Sequence, residues 1–379
     1  MSATQPQRSN KARFLLSGPG WPYLLVPFIP IAIVLDVIGA SPVAIFFTSA
    51  AGVIPTAALM GRATEELAER AGPGIGGLLN VTFGNAPELI IALFALGSGL
   101  HEVVKASIVG SIMGNILLVL GASMLAGGYN RERQTFDRTA AGAQSSMLLL
   151  AAAALIMPAI FELVEGKGLP KPGAEIVNYD HTVEMLSAIV ACVLIASYVA
   201  GLLFSLKTHR ELFNPGADDE PEDGHEPWSL RKSVGALAIA GVAVGVMSEI
   251  LVSSISEAAS SVGLSEFFIG VIIVAIVGNA AEHWVAVSVA MKDKMDLSVN
   301  IAVGSSAQIA LFVAPVLVLL SFVLGPHPMA LVFNGFELGG ILLAILIANH
   351  VTQEGESTWY EGVQLLAVYA VLAVAFFVA

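Results

Sequence analysis

Apolar runs of about 20 residues, each closed by a charged or turn-rich break, recur along almost the whole chain, and a hydrocarbon core about 30 Å thick takes a helix of about that length. Eleven such runs are predicted as membrane-spanning helices, at roughly 20 to 39, 42 to 60, 74 to 97, 103 to 126, 142 to 163, 183 to 206, 234 to 256, 267 to 290, 297 to 323, 329 to 349 and 361 to 379. Their all-round apolar character leaves open which face of each meets lipid. The opening MSATQPQRSNKARF carries three basic residues, but the run after it contains Asp36 and offers no convincing small-residue cleavage site. It reads as a retained first helix, not a signal peptide.

Composition agrees with that pattern. Hydrophobic residues are 56% of the chain and charged residues 12%, against about 45 to 50% and about 25% in soluble domains. The net charge of -13 counts against nucleic acid as a partner, because phosphates need basic surface, and favours cations. A single cysteine, Cys192, excludes both a disulfide scaffold and a thiolate zinc cage. The basic residues also set the direction of the spans, since they collect on the cytoplasmic side. Eleven alternating spans with the N-terminus inside place all Lys and Arg residues in the cytoplasm except Lys105, Lys167 and Lys171, and put the C-terminus outside.

The longest polar break, HRELFNPGADDEPEDGHEPWSLRK, carries Asp218, Asp219, Glu220, Glu222, Asp223 and Glu226. It separates the chain into a cytoplasmic N-terminus with an accessory first span (1–40), a first half (41–206), an acidic linker (207–232) and a second half (233–379). Its Pro, Gly and acid content suits a solvated linker, and a cation-attracting or regulatory segment is the other reading.

The two halves are related. GNAPELIIA at 84–92 matches GNAAEHWVA at 278–286, and IVGSIMGNILLVLG at 108–121 matches AVGSSAQIALFVAP at 302–315, all at one offset of 194 residues without a gap. Ten of 38 aligned positions are identical, among them Gly84/Gly278, Asn85/Asn279, Glu88/Glu282, Gly110/Gly304 and Ser111/Ser305. Apolar composition alone does not bring Gly-Asn-x-x-Glu and Gly-Ser into register, so this is a duplication. With five spans in each copy, the second copy enters the membrane from the opposite side. The predicted fold is therefore an all-α integral membrane protein of eleven transmembrane helices, one accessory helix plus two inverted-topology five-helix repeats, an architecture of secondary transporters with a site at the repeat interface.

Glu88 and Glu282 fall inside the third and eighth runs, where a charge costs about 2.5 to 3.5 kcal/mol on insertion scales and needs compensation. In a helix, the Asn and Glu of Gly-Asn-x-x-Glu share a face, so Asn85 with Glu88 and Asn279 with Glu282 each offer a carboxylate and an amide oxygen. Two such faces make a cluster of hard oxygen ligands, which calcium favours. Gly84 and Gly278 allow close approach or expose a carbonyl. Ser111 with Asn115, and Ser305 with Gln308, either complete that shell or bond helix to helix. Gly110 and Gly114 read as close-packing positions, and His283, which has Leu89 as its counterpart, as a supporting residue, not a ligand. Glu65, Glu66 and Glu69 on one side and Glu249 and Glu257 on the other are candidates for the entrances, with Glu249 also a candidate relay. Glu337 in the tenth run is ambiguous in the same way.

GNAPELIIALFAL, GNAAEHWVAVSVAMKDKMDL and GSSAQIALFVAPVLVL resemble the two signature repeats of the calcium/proton exchanger family, within the calcium/cation antiporter superfamily. The resemblance covers nearly all of the chain after about residue 55, including GRATEELAERAGPGIGGLLN and GESTWYEG. It implies coupled exchange of cytosolic Ca2+ for H+ without a cofactor, with Glu88 and Glu282 as shared binding groups. An acidic loop between the halves is also typical of the family, although here the acids are spread among Pro and Gly. Two apposed carboxylates can be neutralised by one divalent cation or by two protons, so only loaded states are expected to switch.

Manganese/proton exchange stays open because hard-oxygen sites overlap. A sodium/calcium exchanger would resemble Gly-Ser-Ser-Ala-Pro-Glu repeats more than the Asn85 and Asn279 motifs. An intramembrane metalloprotease lacks its His-Glu-x-x-His or His-x-x-Glu-His, and a serine hydrolase its Gly-x-Ser-x-Gly. The expected setting is a bacterial cytoplasmic membrane, with lipid around the helices and association into homo-oligomers left open.

Overall fold

The computed structural model describes residues 20–173, 178–208 and 228–379, so most of the acidic linker lies outside the described residues. In chain order the helices are α1 (Trp21–Val37), α2 (Pro42–Gly72), α3 (73–83), α4 (Ala86–Gly97), α5 (His101–Gly128), α6 (Arg138–Val164), α7 (His181–Leu203), α8 (Leu230–Val262), α9 (Glu266–Met291), α10 (Met295–Ser321), α11 (Gly335–Thr352) and α12 (Trp359–Val378). Among the described residues nine of these are long and apolar enough to cross a membrane, while α1 and α4 are shorter apolar helices. The protein is an all-helical integral membrane protein.

Two boundaries differ from the sequence expectation for identifiable reasons. The run predicted over 74 to 97 is not one helix. Gly72 turns out of the helical region at φ 79° between α2 and α3, and the chain breaks again at Gly84 and Asn85 before α4 begins. The run predicted from 329 starts its helix only at Gly335, because Asn334 and Glu337 form a reciprocal cap: the Asn334 side chain accepts from Phe336 N and Glu337 N, and the Glu337 carboxylate accepts from Asn334 N. Residues 329–334 before it are non-helical and buried. A backbone off the helical path inside a membrane protein is tolerated only where protein covers it and satisfies its polar groups.

α2 and α8 form the most extensive helix pair, with α1 laid along α2. Short segments of wider π-helical winding occur at Gly114–Val119 in α5, Ile269–Val274 in α9 and Ile309–Val313 in α10. α5 and α9 cross at very short range: a Cβ on Gly110 would come within 2.0 Å of the Val271 carbonyl oxygen. Gly110 is thus a close-packing residue as expected, whereas nothing lies within 4 Å of the Cβ position of Gly114.

One end of the bundle gathers Arg62, Arg70, Arg131, Arg133 and Lys292, and is called the basic end below. Its loops are fastened together. Strand β1 (Gln134–Thr135) pairs antiparallel with β2 (Glu356–Ser357), and Arg133 Nη1 lies 3.0 Å from the Glu356 carboxylate. Gln134 Nε2 donates to Ala290 O at 2.9 Å and to Asp293 Oδ1 at 2.8 Å. Arg131 reaches Met291 O at 3.2 Å and Asp293 at 3.4 Å. At the other end Lys167, one of the three basic residues that broke the charge pattern, sits among Asp180, Glu165 and Glu162. Its hydrogen bonds to Asp180 and Glu165 hold the ammonium pKa above the ordinary lysine value.

Because the nearest atoms to a Gly110 Cβ are backbone, they cannot step aside. Gly110→Ala is expected to destabilise the protein by about 1 to 3 kcal/mol, the usual range for overpacking, and a lower midpoint of thermal unfolding in detergent checks it.

Candidate cation site

Local sequence explains why the two Gly-Asn-x-x-Glu motifs adopt different backbones. Pro87 stands in the first turn of α4, where its missing N–H costs nothing, while a helix continuing through from α3 would need that N–H and would drive the ring into the Phe83 carbonyl. Gly84 adds the freedom to turn. Asn85 therefore sits at the N-cap of α4, with φ -96° and ψ 20°, and Glu88 falls in the first turn, where free backbone N–H groups favour negative charge. The expectation that Asn85 and Glu88 share a face of one continuous helix is corrected on this point. In the second copy Ala281 replaces the proline, so α9 runs unbroken from Ala275 to Met291 and Asn279 and Glu282 do share one helix.

The two motifs meet. A Cβ on Gly278 would lie 3.2 Å from Glu88 Cγ, so the Glu88 stem rests on the Gly278 backbone. Glu282 follows one helical turn beyond Gly278 on α9. Polar side chains on α5 and α10 close around them. Asn85 Nδ2 donates to Gln308 Oε1 at 2.7 Å, and Asn279 Nδ2 donates to Ser111 Oγ at 3.0 Å and to Ala275 O at 3.0 Å. Ser305 Oγ donates to Glu282 Oε1 at 2.5 Å, while His283 Nε2 and Asn115 Oδ1 lie 3.0 Å apart. Glu88 also lines a cavity with Ser107 and Ser111 on its polar side and Ile91, Val274 and Ile309 on its apolar side.

This arrangement leaves oxygens over. Asn85 Oδ1, Asn279 Oδ1 and Glu88 Oε2 are buried without a hydrogen-bond partner. The Ala275 carbonyl can only accept, which fixes the Asn279 amide with its nitrogen toward Ala275 and its oxygen away. A buried acceptor left without a donor costs about 1 to 3 kcal/mol, so three on two touching motifs form a cradle with acceptor capacity to spare. Among the described residues no group of three or more His, Cys, Asp or Glu side chains comes together. The formal charge of the cradle is therefore that of Glu88 and Glu282.

The other acids named from the sequence occupy several settings. Glu65 and Glu69 are exposed at the basic end of α2, and Glu65 is near enough for its charge to act on Glu282. Glu66, by contrast, is 6% exposed and engaged: its Oε2 accepts from Trp228 N at 2.8 Å, and its Oε1 lies 3.9 Å from Arg62 Nε. Lys232 Nζ stands 3.8 Å from the centre of the Trp228 ring. Glu66 thus joins α2 to the start of α8. Glu249 and Glu257 are exposed along α8 with Ser253 and Ser256, and Glu337 is committed to the cap of α11. Sequence reasoning missed Ser107, one turn before Ser111 on α5, for which the serine spacing was the available signal.

Comparison with known proteins gives a consistent answer. The family model described as "Sodium/calcium exchanger protein" matches residues 41–207 and 232–378. A protein of Aphanothece halophytica named Ca(2+)/H(+) antiporter is 45% identical over 366 residues, covering 93% of this chain and 95% of the relative. The Ca(2+)/H(+) antiporter ChaA of Bacillus subtilis is 43% identical over 370 residues, covering 97% and 99%. Among solved structures, native YfkE superposes with a TM-score of 0.79 at 38% identity, over 94% of this chain and 100% of that one. The shared motifs, the shared fold and these matches over nearly the full length establish that the chain belongs to the sodium/calcium exchanger protein family.

Proposed function

We propose that this protein is a secondary transporter that exchanges cytosolic Ca2+ for H+ by alternating access, with Glu88 and Glu282 holding either one calcium ion or protons. The observation that carries this reading is the trio of unpartnered buried oxygens, Asn85 Oδ1, Asn279 Oδ1 and Glu88 Oε2, beside a second carboxylate. Two negative charges and neutral amide oxygens suit a divalent, oxygen-seeking ion, and protons are the other way to neutralise the pair. Either load removes the cost of carrying bare carboxylates through a low-dielectric passage. The names of the relatives with 45% and 43% identity support the same pair of ions.

The duplication supports two five-span copies of opposite direction, α2 to α7 with α3 and α4 together as one span, and α8 to α12. Their Asn and Glu positions meet at the interface of the copies. Basic residues mark the basic end as cytoplasmic, so the acids at the α2 end, Glu65 and Glu69, stand at the entrance for calcium. Ser111, Ser305, Gln308, Asn115 and His283 orient the motif side chains, as the hydrogen bonds above support. Ser305 donates a hydrogen bond to Glu282 and so leaves Glu88 the less occupied of the two carboxylates.

Four outcomes are expected. In proteoliposomes, a pH gradient drives calcium uptake and a sodium gradient at constant pH does not; flux driven by sodium alone would move the assignment to sodium-coupled exchange, and manganese uptake equal to that of calcium would widen the substrate. Glu88→Gln and Glu282→Gln each abolish uptake while the purified protein stays monodisperse, because one carboxylate cannot balance a divalent ion; substantial uptake by either variant refutes the two-carboxylate site. Asn279→Leu, which removes a cradle oxygen, weakens calcium binding about tenfold, the worth of about 1.4 kcal/mol, measured by calorimetric titration. Since protons compete for the same oxygens, the half-saturating calcium concentration rises as pH falls on the calcium side.

A further inference from the structure

The end of the bundle opposite the basic end is closed by a strap, the non-helical segment 325–334 between α10 and α11. Met329, Ala330, Leu331, Val332, Phe333 and Asn334 are each no more than 3% exposed, an unusual degree of burial for a connection. Side chains from four different helices satisfy its backbone. Ser321 Oγ of α10 accepts from Met329 N at 2.7 Å, and Ser187 Oγ of α7 accepts from Leu331 N at 3.0 Å. Lys105 Nζ of α5 donates to Val332 O at 3.2 Å, and Glu337 of α11 takes Asn334 N at 2.7 Å.

The near end of the strap sits on the helix that carries Glu88. A Cβ on Gly325, which has φ +83°, would come within 2.5 Å of Leu96 O, and a Cβ on Gly99 would come within 3.0 Å of Pro326 Cγ. Leu96 is two turns beyond Glu88 on α4. Movement that opens this end to the glutamates therefore has to lift the strap from α4.

Among the strap's fastenings Lys105 is the charged one supplied from outside the strap and its own helix cap. It is 3% exposed and lies in the first two turns of a membrane-spanning helix, where a lysine costs about 2.5 to 3.5 kcal/mol on insertion scales and persists only with partners. Glu102, three residues earlier on the same helix face, accepts from Gly173 N of the neighbouring loop at 2.7 Å, so this one turn of α5 ties down two connections at once. A charged donor on a backbone carbonyl is stronger than a neutral one.

We propose that Lys105 is a positioning residue for the exchange: by holding Val332 O it seats the strap on α4 and keeps the glutamate pair closed toward the end opposite the basic end. This rests on the alternating-access reading above and adds the element that sets which side is open.

The test uses the full chain with Cys192→Ser and Ala95→Cys, the latter at a position of α4 that is 1% exposed and next to Leu96, whose carbonyl the strap approaches. A membrane-impermeant thiol reagent is applied from the end opposite the basic end, in vesicles of both orientations. Lys105→Met is expected to raise the labelling rate about tenfold, in keeping with the loss of one charge-assisted hydrogen bond, and Lys105→Arg to restore the slow rate. The half-saturating calcium concentration should rise at the basic face and fall at the opposite face, a split that a general packing defect does not produce. If Lys105→Met fails to fold, Ser321→Ala loosens the same strap at Met329 and should raise labelling in the same direction. Unchanged labelling in a folded variant that still exchanges ions overturns the role of Lys105. Raised labelling in the variant with no ion exchange by the parent upholds the strap and overturns the transport reading instead.

Discussion

A carboxylate inside a membrane-spanning bundle has to be neutralised, and two of them on touching motifs are costly to leave bare together. Glu88 and Glu282 set that condition, and much of the surrounding architecture meets part of it. The α4 N-terminus faces Glu88 with free backbone N–H groups, and Ser305 donates to Glu282. Neither supplies a full positive charge. Basic side chains are kept at the ends of the bundle, so the remaining neutralisation falls to something that enters and leaves, which is the physical core of the proposed exchange.

The backbone around the pair is irregular where the chemistry needs it. Gly84 and Pro87 interrupt the first motif and put Asn85 at a cap, while the second motif stays on a continuous helix. The bare Gly278 lets the Glu88 stem rest against α9, and Gly110 lets α5 cross α9 with backbone nearly in contact. α5 and α10 each carry a π-helical segment soon after their Gly-Ser pair. Such widened turns re-aim the residues they contain, and here they include Asn115, which meets His283. The duplicated sequence therefore builds two copies that are similar in chemistry and unequal in geometry.

The two ends of the bundle are fastened by different means. At the basic end, Arg131, Arg133 and Gln134 link three connections through ion pairs and a two-residue strand pair. At the other end, a buried strap is held by serine hydroxyls, a helix cap and Lys105. The ion pairs at the basic end are partly exposed, so each is worth at most about 1 kcal/mol, whereas the side chains that hold the strap are buried. An inequality of this kind suits the proposed exchange, in which the centre opens to one side at a time.

The sequence by itself determined the membrane class, the helical architecture, the duplication and the identity of the motif residues, because apolar length, charge asymmetry and a gap-free register of polar residues are one-dimensional signals. It also marked Lys105 as an exception to the charge pattern without saying what that lysine does. Tertiary structure alone decided which amide nitrogens are spent on Gln308, Ser111 and Ala275, and hence which oxygens remain over. It decided that Glu66 and Glu337, chemically equal to Glu65 and Glu282 in a string of letters, are consumed by Trp228 and by a helix cap. The physical reason is that a buried polar group is defined by its partners, and for Asn85, Asn279 and Glu66 the deciding partners Gln308, Ser111 and Trp228 lie more than a hundred residues away along the chain, a distance over which no local pattern carries information.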